Sequence, residues 1–256
     1  MDLPLSHLGL LALAALLAGL VDSIGGGGGL ITVPALLAAG LPHQLALGTN
    51  KGQSVFGSGS SLWRYWRAGL IDRKRARIAF PLGLAGALLG AWLLLHVPTG
   101  GLKPIVAALL LAAAIALFVQ PLLLARAQAS GARPPSESKA LVLGGALSIV
   151  FAAYDGFFGP GTGTFLIAGF VLLLHTPITR ASADAKVVNF ASNLAALALF
   201  ASRGTVVWKV SLSMALGQFA GAAIGAQLAV RGGDRLVRPV VLTIALALVL
   251  KLLLGG

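Results

Sequence analysis

The chain has 256 residues, 57% of them apolar and only 10% charged, with a net charge of +12 and no cysteine. Soluble domains carry about 25% charged side chains, so a water-facing surface of this size would be starved of charge, and a soluble globular fold is excluded. Without cysteine there is no disulfide, thiolate metal site or cysteine nucleophile, and nothing in the sequence implies a cofactor or a metal.

Crossing a bilayer as a helix takes roughly 20 apolar residues. The first such run is 8–24; Met1 to His7 ahead of it holds Asp2 and no Lys or Arg, so the run is expected to be retained rather than cleaved as a signal peptide. A glycine run, Gly25 to Gly29, breaks the pattern, and the apolar stretch after it, 30–39, is too short to span. Region 44–66 is a weaker span, rich in Gly and Ser, and 78–96 and 102–124 are full ones. The segment 125–139, ARAQASGARPPSESK, reads as a polar linker. Beyond it come 140–158, a second break at Gly159-Pro160-Gly161-Thr162-Gly163, a short stretch 164–174, and the runs 181–201, 210–230 and 236–254. The predicted fold is an all-α polytopic membrane protein with about eight full spans and two short, Gly-initiated half-helices.

Basic residues mass beside the spans: Arg64, Arg67, Arg73, Lys74, Arg75 and Arg77 in one place, Arg126, Arg133 and Lys139 in another, Arg231, Arg235 and Arg238 in a third. This is the positive-inside pattern, with anionic membrane lipid as partner. Trp63, Tyr65 and Trp66 beside the first cluster fit an interfacial aromatic belt. Nucleic acid is not an expected partner, since no basic and aromatic surface lies away from the spans.

Shifted by 135 residues, the chain falls on itself: Pro42 meets Pro177, Lys51 meets Lys186, Gly69 meets Gly204, Gly86 and Gly90 meet Gly221 and Gly225, and Lys103-Pro104 meets Arg238-Pro239. Gly26 and Gly28 meet Gly161 and Gly163, and a two-residue slip pairs Asp22 with Asp155. Pro, Lys and Gly at one common offset mark a duplication, which divides the chain into a first repeat 1–124, a linker 125–139 and a second repeat 140–256. If the short stretches count as crossings the second copy is inverted; if they dip and return it is parallel. The division of basic residues does not separate the two, and the common transporter plan of inverted repeats with broken helices favours inversion.

Lys51 and Lys186 lie inside predicted spans, where a charge is costly and faces a partner in the bundle interior. Two repeat-related ammonium groups can converge into a positive site for an anion, or each can snorkel or pair with a neighbouring Asp. The breaks add to the anion reading, because glycine lets backbone N–H groups approach a ligand and a starting half-helix presents free donors and a positive dipole end. The candidate binding residues are therefore Lys51, Lys186, Asn50, Gln53, Asn189, Gly28, Gly29, Gly161, Thr162 and Gly163. Asp22, Asp155 and Asp184, three of only seven acids, are candidate proton carriers or supports for the lysines. Ser54, Ser192, Asn193 and Gln218 lie on the same segments and offer neutral hydrogen bonds or interhelical glue. Gly86/Gly90 and Gly217/Gly221/Gly225 predict close helix contact within a subunit or between two, which leaves room for a homodimer. His7, His43, His96 and His175 are scattered near span ends, and no H-E-x-x-H or G-x-S-x-G hydrolase motif occurs.

On GLVDSIGGGGGLITVPALLAAGLPHQLALGTNK, the GxxxGA segment at Gly86, and YDGFFGPGTGTFLIAGFVLL followed by SADAKVVNFASN, the sequence resembles the sulfite exporter TauE/SafE family of bacterial membrane proteins over nearly its whole length. The resemblance implies a multi-pass protein of the inner membrane that exports, or in some members takes up, sulfite, sulfonates or related organosulfur anions. Strict symmetry fails at one point: Thr49-Asn50-Lys51 corresponds to Asp184-Ala185-Lys186, so Asn50 has no equivalent. The expected activity is secondary transport of a small anion by alternating access, with a passive channel of the same shape or a membrane-embedded enzyme as alternatives.

Overall fold

The computed structural model describes residues 4–98, 101–113, 115, 119 and 134–254. The regular elements among them are all α-helices: α1 (Leu5–Gly25), α2 (Gly29–Ala38), α3 (His43–Arg67), α4 (Arg73–His96), α5 (Gly101–Ala113), α6 (Glu137–Phe157), α7 (Thr162–Leu174), α8 (Ile178–Ser202) and α9 (Trp208–Leu254). Five segments are long and apolar enough to cross a membrane: α1, α4, α6, α8 and the Trp208–Val237 part of α9. At 25 residues α3 is as long as α8, about 37 Å at 1.5 Å per residue. The polar series from Thr49 to Ser54 keeps it out of that apolar set, in line with the weaker span expected at 44–66.

Helix boundaries follow local chemistry. Pro42 and Pro177 sit at the N-caps of α3 and α8 with extended backbone, where a missing N–H costs nothing. Asp72 caps α4 by accepting from the Lys74 and Arg75 N–H groups, satisfying donors that the first turn leaves open. Two differences from expectation appear. The runs 210–230 and 236–254 belong to one helical stretch, interrupted only at Gly233, whose φ of 55° departs from helical geometry. α6 already starts at Glu137, within the segment 125–139 read as a linker, and residues 125–133 of that segment lie outside the described residues. The outer part of the expected 102–124 span is likewise mostly outside them.

The packing interlocks the two parts of the chain. On α9, Gly217, Gly221 and Gly225 lie against the backbone of Ala12, Leu16 and Leu20 in turn, so α1 and α9 run side by side in one direction. On α4, Gly86 and Gly90 lie against Ile149 and Ala153, and α4 runs alongside α6 in the same way. Hydrocarbon does not drive apolar helices together, so close backbone approach over small residues supplies the contact instead. Both glycine stripes are thus used within the chain.

Two hydrogen bonds orient the central pair. The Asp72 N–H, just past the end of α3, donates to Asp184 Oδ1 near the start of α8 at 2.9 Å. The Val207 N–H, just past α8, donates to Thr49 Oγ1 near the start of α3 at 3.0 Å. α3 and α8 therefore run antiparallel. The short helices fold back: Leu36 of α2 and Leu41 beyond it share a cluster with Leu8, Leu11 and Ala15 of α1. Arg75, at the start of α4, touches both Thr176 beyond the end of α7 and Gly144 near the start of α6.

Candidate functional site

The fold-backs place the glycine breaks at the centre of the bundle, against each other. A Cβ on Gly26, whose φ is 78°, would overlap the backbone of Gly163 and Thr164, and one on Gly29 would lie 2.9 Å from the Pro160 Cα. Only glycine combines that left-handed backbone with so close an approach. Irregular backbone at membrane depth persists where protein or a cavity satisfies it, and here the two breaks pack against each other beside a small polar cavity.

Around the crossing, α3 and α8 turn polar residues inward. Thr49, Asn50, Lys51, Gln53, Ser182, Asp184, Lys186, Asn189, Ser192 and Asn193 are all buried. Lys51, 2% exposed, pairs through Nζ with Asp155 Oδ1 of α6 at 2.9 Å and donates to Asn193 Oδ1 of α8 at 3.0 Å. The other carboxylate oxygen of Asp155 accepts from the Ser192 hydroxyl. Lys186, 0% exposed, pairs with Asp22 Oδ2 of α1 at 2.7 Å, and Asp22 Oδ1 accepts from the Gly28 N–H at 3.3 Å. Each lysine is therefore neutralised by an acid from the other part of the chain. The pairing keeps the centre electrically balanced, as a buried charge left unpaired would cost several kcal/mol.

These groups line a small polar cavity of about 30 Å³, room for about one water molecule. Of the residues singled out from sequence, Asp22, Gly29, Asn50, Lys51, Asp155, Gly161, Thr162, Gly163 and Asn189 line it. Gly28 and Gln53 stand just behind: Gly28 holds Asp22, and the Gln53 amide donates to Asn50 Oδ1 at 2.8 Å. Lys186 does not reach the wall and acts on it only through Asp22. Asp184 lies elsewhere, bonded to Arg75 at 2.6 Å and to the Asp72 N–H.

Ser54, Gly159, Asn193 and Gln218 complete the lining. The sequence offers three of them only within a polar series and Gly159 only as part of a break. Among the described residues the side-chain oxygens of Asn189 and Gln218 are buried without a hydrogen-bond partner, and because these residues line the cavity they are the groups left to meet its contents.

Two roles were not legible beforehand. Arg75 belongs by sequence to a loop cluster, yet it is buried as the partner of Asp184. Tyr65 was grouped with the interfacial aromatics; it is 0% exposed and donates to the Ser23 carbonyl at 2.7 Å, whereas Trp63 and Trp66 are exposed as a belt requires. A Tyr between two belt residues on a helix points inward because successive side chains turn by about 100°.

Apolar helices wrapped around a charge-balanced polar centre define a multi-pass membrane protein. The family profile described as Sulfite exporter TauE/SafE matches residues 11–252. The chain is 41% identical over 252 residues to Probable membrane transporter protein ORF9 of Sinorhizobium sp, covering 98% of this chain and 94% of that one. It is 35% identical over 246 residues to Probable membrane transporter protein YfcA of Escherichia coli K12, covering 96% and 89%. A Haemophilus influenzae protein named Probable membrane transporter protein is also 35% identical, over 253 residues, covering 98% and 96%. No solved structure matches the chain. The chain belongs to the TauE/SafE family, and it is a membrane transporter of that family.

Proposed function

We propose that this transporter moves a small sulfur-containing oxyanion, sulfite or a sulfonate, across the bacterial inner membrane by alternating access, with the central cavity as its binding site. The substrate class rests on the family description. The observation that carries the mechanism is the narrow polar centre, in which Lys51 is already occupied by Asp155. A cavity of about 30 Å³ cannot take a sulfite without side-chain movement, so binding requires one part of the chain to swing from the other.

The charge balance constrains what accompanies the anion. Adding a single negative charge to a neutral, low-dielectric centre is unfavourable. If a proton joins Asp155 or Asp22 with the anion, the centre stays neutral and the freed ammonium takes the anion instead. Asn50, Asn189 and the N–H groups at Gly29, Gly161, Thr162 and Gly163 then supply neutral hydrogen bonds, and the starts of α2 and α7 contribute their dipoles.

We read the two parts as an inverted repeat that rocks about this centre. Support comes from the antiparallel α3 and α8, the reciprocal pairs Lys51–Asp155 and Lys186–Asp22, and the reciprocal loop bonds Asp72–Asp184 and Val207–Thr49.

The test is flux in proteoliposomes. Sulfite or sulfonate transport is expected to saturate, to respond to a pH gradient, and to be lost in Lys51→Ala and Lys186→Ala while the protein stays in the membrane. Native flux in both alanine variants would remove the site assignment. Flux that never saturates and ignores pH would mark a channel instead.

A further inference from the structure

A second cavity lies away from the centre, a groove of about 550 Å³ between the end of α3 and the middle of α9, with Ser60, Trp63, Arg64, Arg67, Phe219 and Gln227 on its walls. Arg64 Nη1 donates to Gln227 Oε1 at 2.9 Å, and the Arg67 guanidinium sits over the Trp63 ring at 5.8 Å. Among the described residues no carboxylate lies within ion-pair distance of either guanidinium. Their places three residues apart put both on one side of the last turn of α3.

The groove is amphipathic along its length. Arg64 and Arg67 mark the level where α3 leaves the apolar zone, beside the basic start of α4 at Arg73, Lys74, Arg75 and Arg77. Ser60, bonded to the Phe219 carbonyl, lies one to two turns deeper, roughly 6 to 10 Å along the helix. Trp63 and Phe219 are 62% and 53% exposed. A cationic rim over a half-open aromatic wall, turned to the side of the bundle, fits a ligand with an anionic head and an apolar tail.

We propose that this groove is a site for an anionic phospholipid of the leaflet on the basic face, its phosphate held by Arg64 and Arg67 and an acyl chain laid along Phe219. Charge complementarity selects this occupant. A second copy of the chain has few acids to offer: of seven, Asp22, Asp155 and Asp184 are committed to buried pairs, and Asp72 and Glu137 to Arg75 and Lys74. A soluble anion would use the rim and leave the aromatic wall unfilled.

The experiment measures lipid binding to the purified full-length protein by native mass spectrometry and by thermal unfolding, with phosphatidylglycerol and phosphatidylcholine of matched chains. Phosphatidylglycerol is expected to bind more tightly and to raise the unfolding temperature. The double variant Arg64→Gln, Arg67→Gln is expected to weaken it about tenfold or more, leaving phosphatidylcholine unchanged. Arg67→Gln alone, at an exposed position, is expected to weaken it about threefold and keeps the test alive if the double variant misfolds. Inorganic phosphate at millimolar concentration is expected neither to stabilise nor to compete. The proposal is overturned if the two lipids bind alike, if the variants keep the preference, if phosphate alone reproduces the stabilisation, or if the variants change only the oligomeric state.

Discussion

Removing the acid from the Lys51–Asp155 pair is the sharpest probe of the centre. In Asp155→Asn the Lys51 ammonium, 2% exposed, keeps Asn193 and loses the carboxylate 2.9 Å away. With an effective dielectric of 20, that contact is worth about 6 kcal/mol of Coulomb energy, set against a desolvation cost of several kcal/mol for each ion. The pair therefore comes close to break-even as a unit, while either half alone is expensive. Asp155→Asn and Lys51→Met are each expected to destabilise by about 3–5 kcal/mol, and the double variant Lys51→Met, Asp155→Leu by much less than their sum. Thermal unfolding followed through the Trp fluorescence reads this as a drop on the order of 10 °C for each single variant, largely recovered in the double. If the single variants unfold no earlier than the double, the two groups are not energetically coupled and the charge-balance argument for proton co-movement fails with them.

The ion pair at the basic end invites a contrast between burial and exposure. Asp184→Ala leaves the buried Arg75 only the half-exposed Asp72 carboxylate at 3.4 Å and is expected to destabilise clearly, whereas Glu137→Ala breaks an exposed pair with Lys74 and should move the unfolding temperature little. The glycine contacts predict opposite signs for one substitution: Gly90→Ala drives a Cβ onto the Ala153 carbonyl and is expected to destabilise, while Gly9→Ala meets nothing within 4 Å and should stabilise by up to about 1 kcal/mol through helix propensity. Equal unfolding temperatures for the two alanine variants would contradict the backbone contact between α4 and α6.

The asymmetry noted in the sequence between Thr49 and Asp184 has a structural counterpart. Each accepts an N–H from the loop that follows the opposite central helix. Only Asp184 also binds a cation, because Arg75 stands where Val210 stands 135 residues further on. One face of the bundle is therefore closed by an ion pair and the other by a neutral hydrogen bond.

Much of this molecule was legible before any coordinates. Span positions follow from apolar runs, because hydrocarbon permits little else. The glycine breaks and the short stretches after them marked α2 and α7 to within two residues at each boundary. Lys51, Lys186, Asp22 and Asp155 stood out because charge inside a span needs a reason. The tertiary structure decided how they are used. Which acid meets which lysine depends on α1 packing with α9 and α4 with α6, contacts such as Gly217 on Ala12 and Gly90 on Ala153 that are far apart in the chain and that no local pattern encodes. It therefore fell to packing, not to sequence, to turn two lone cations into two neutral pairs, to bury Arg75 and Tyr65, and to draw the glycine breaks against each other around one small polar cavity.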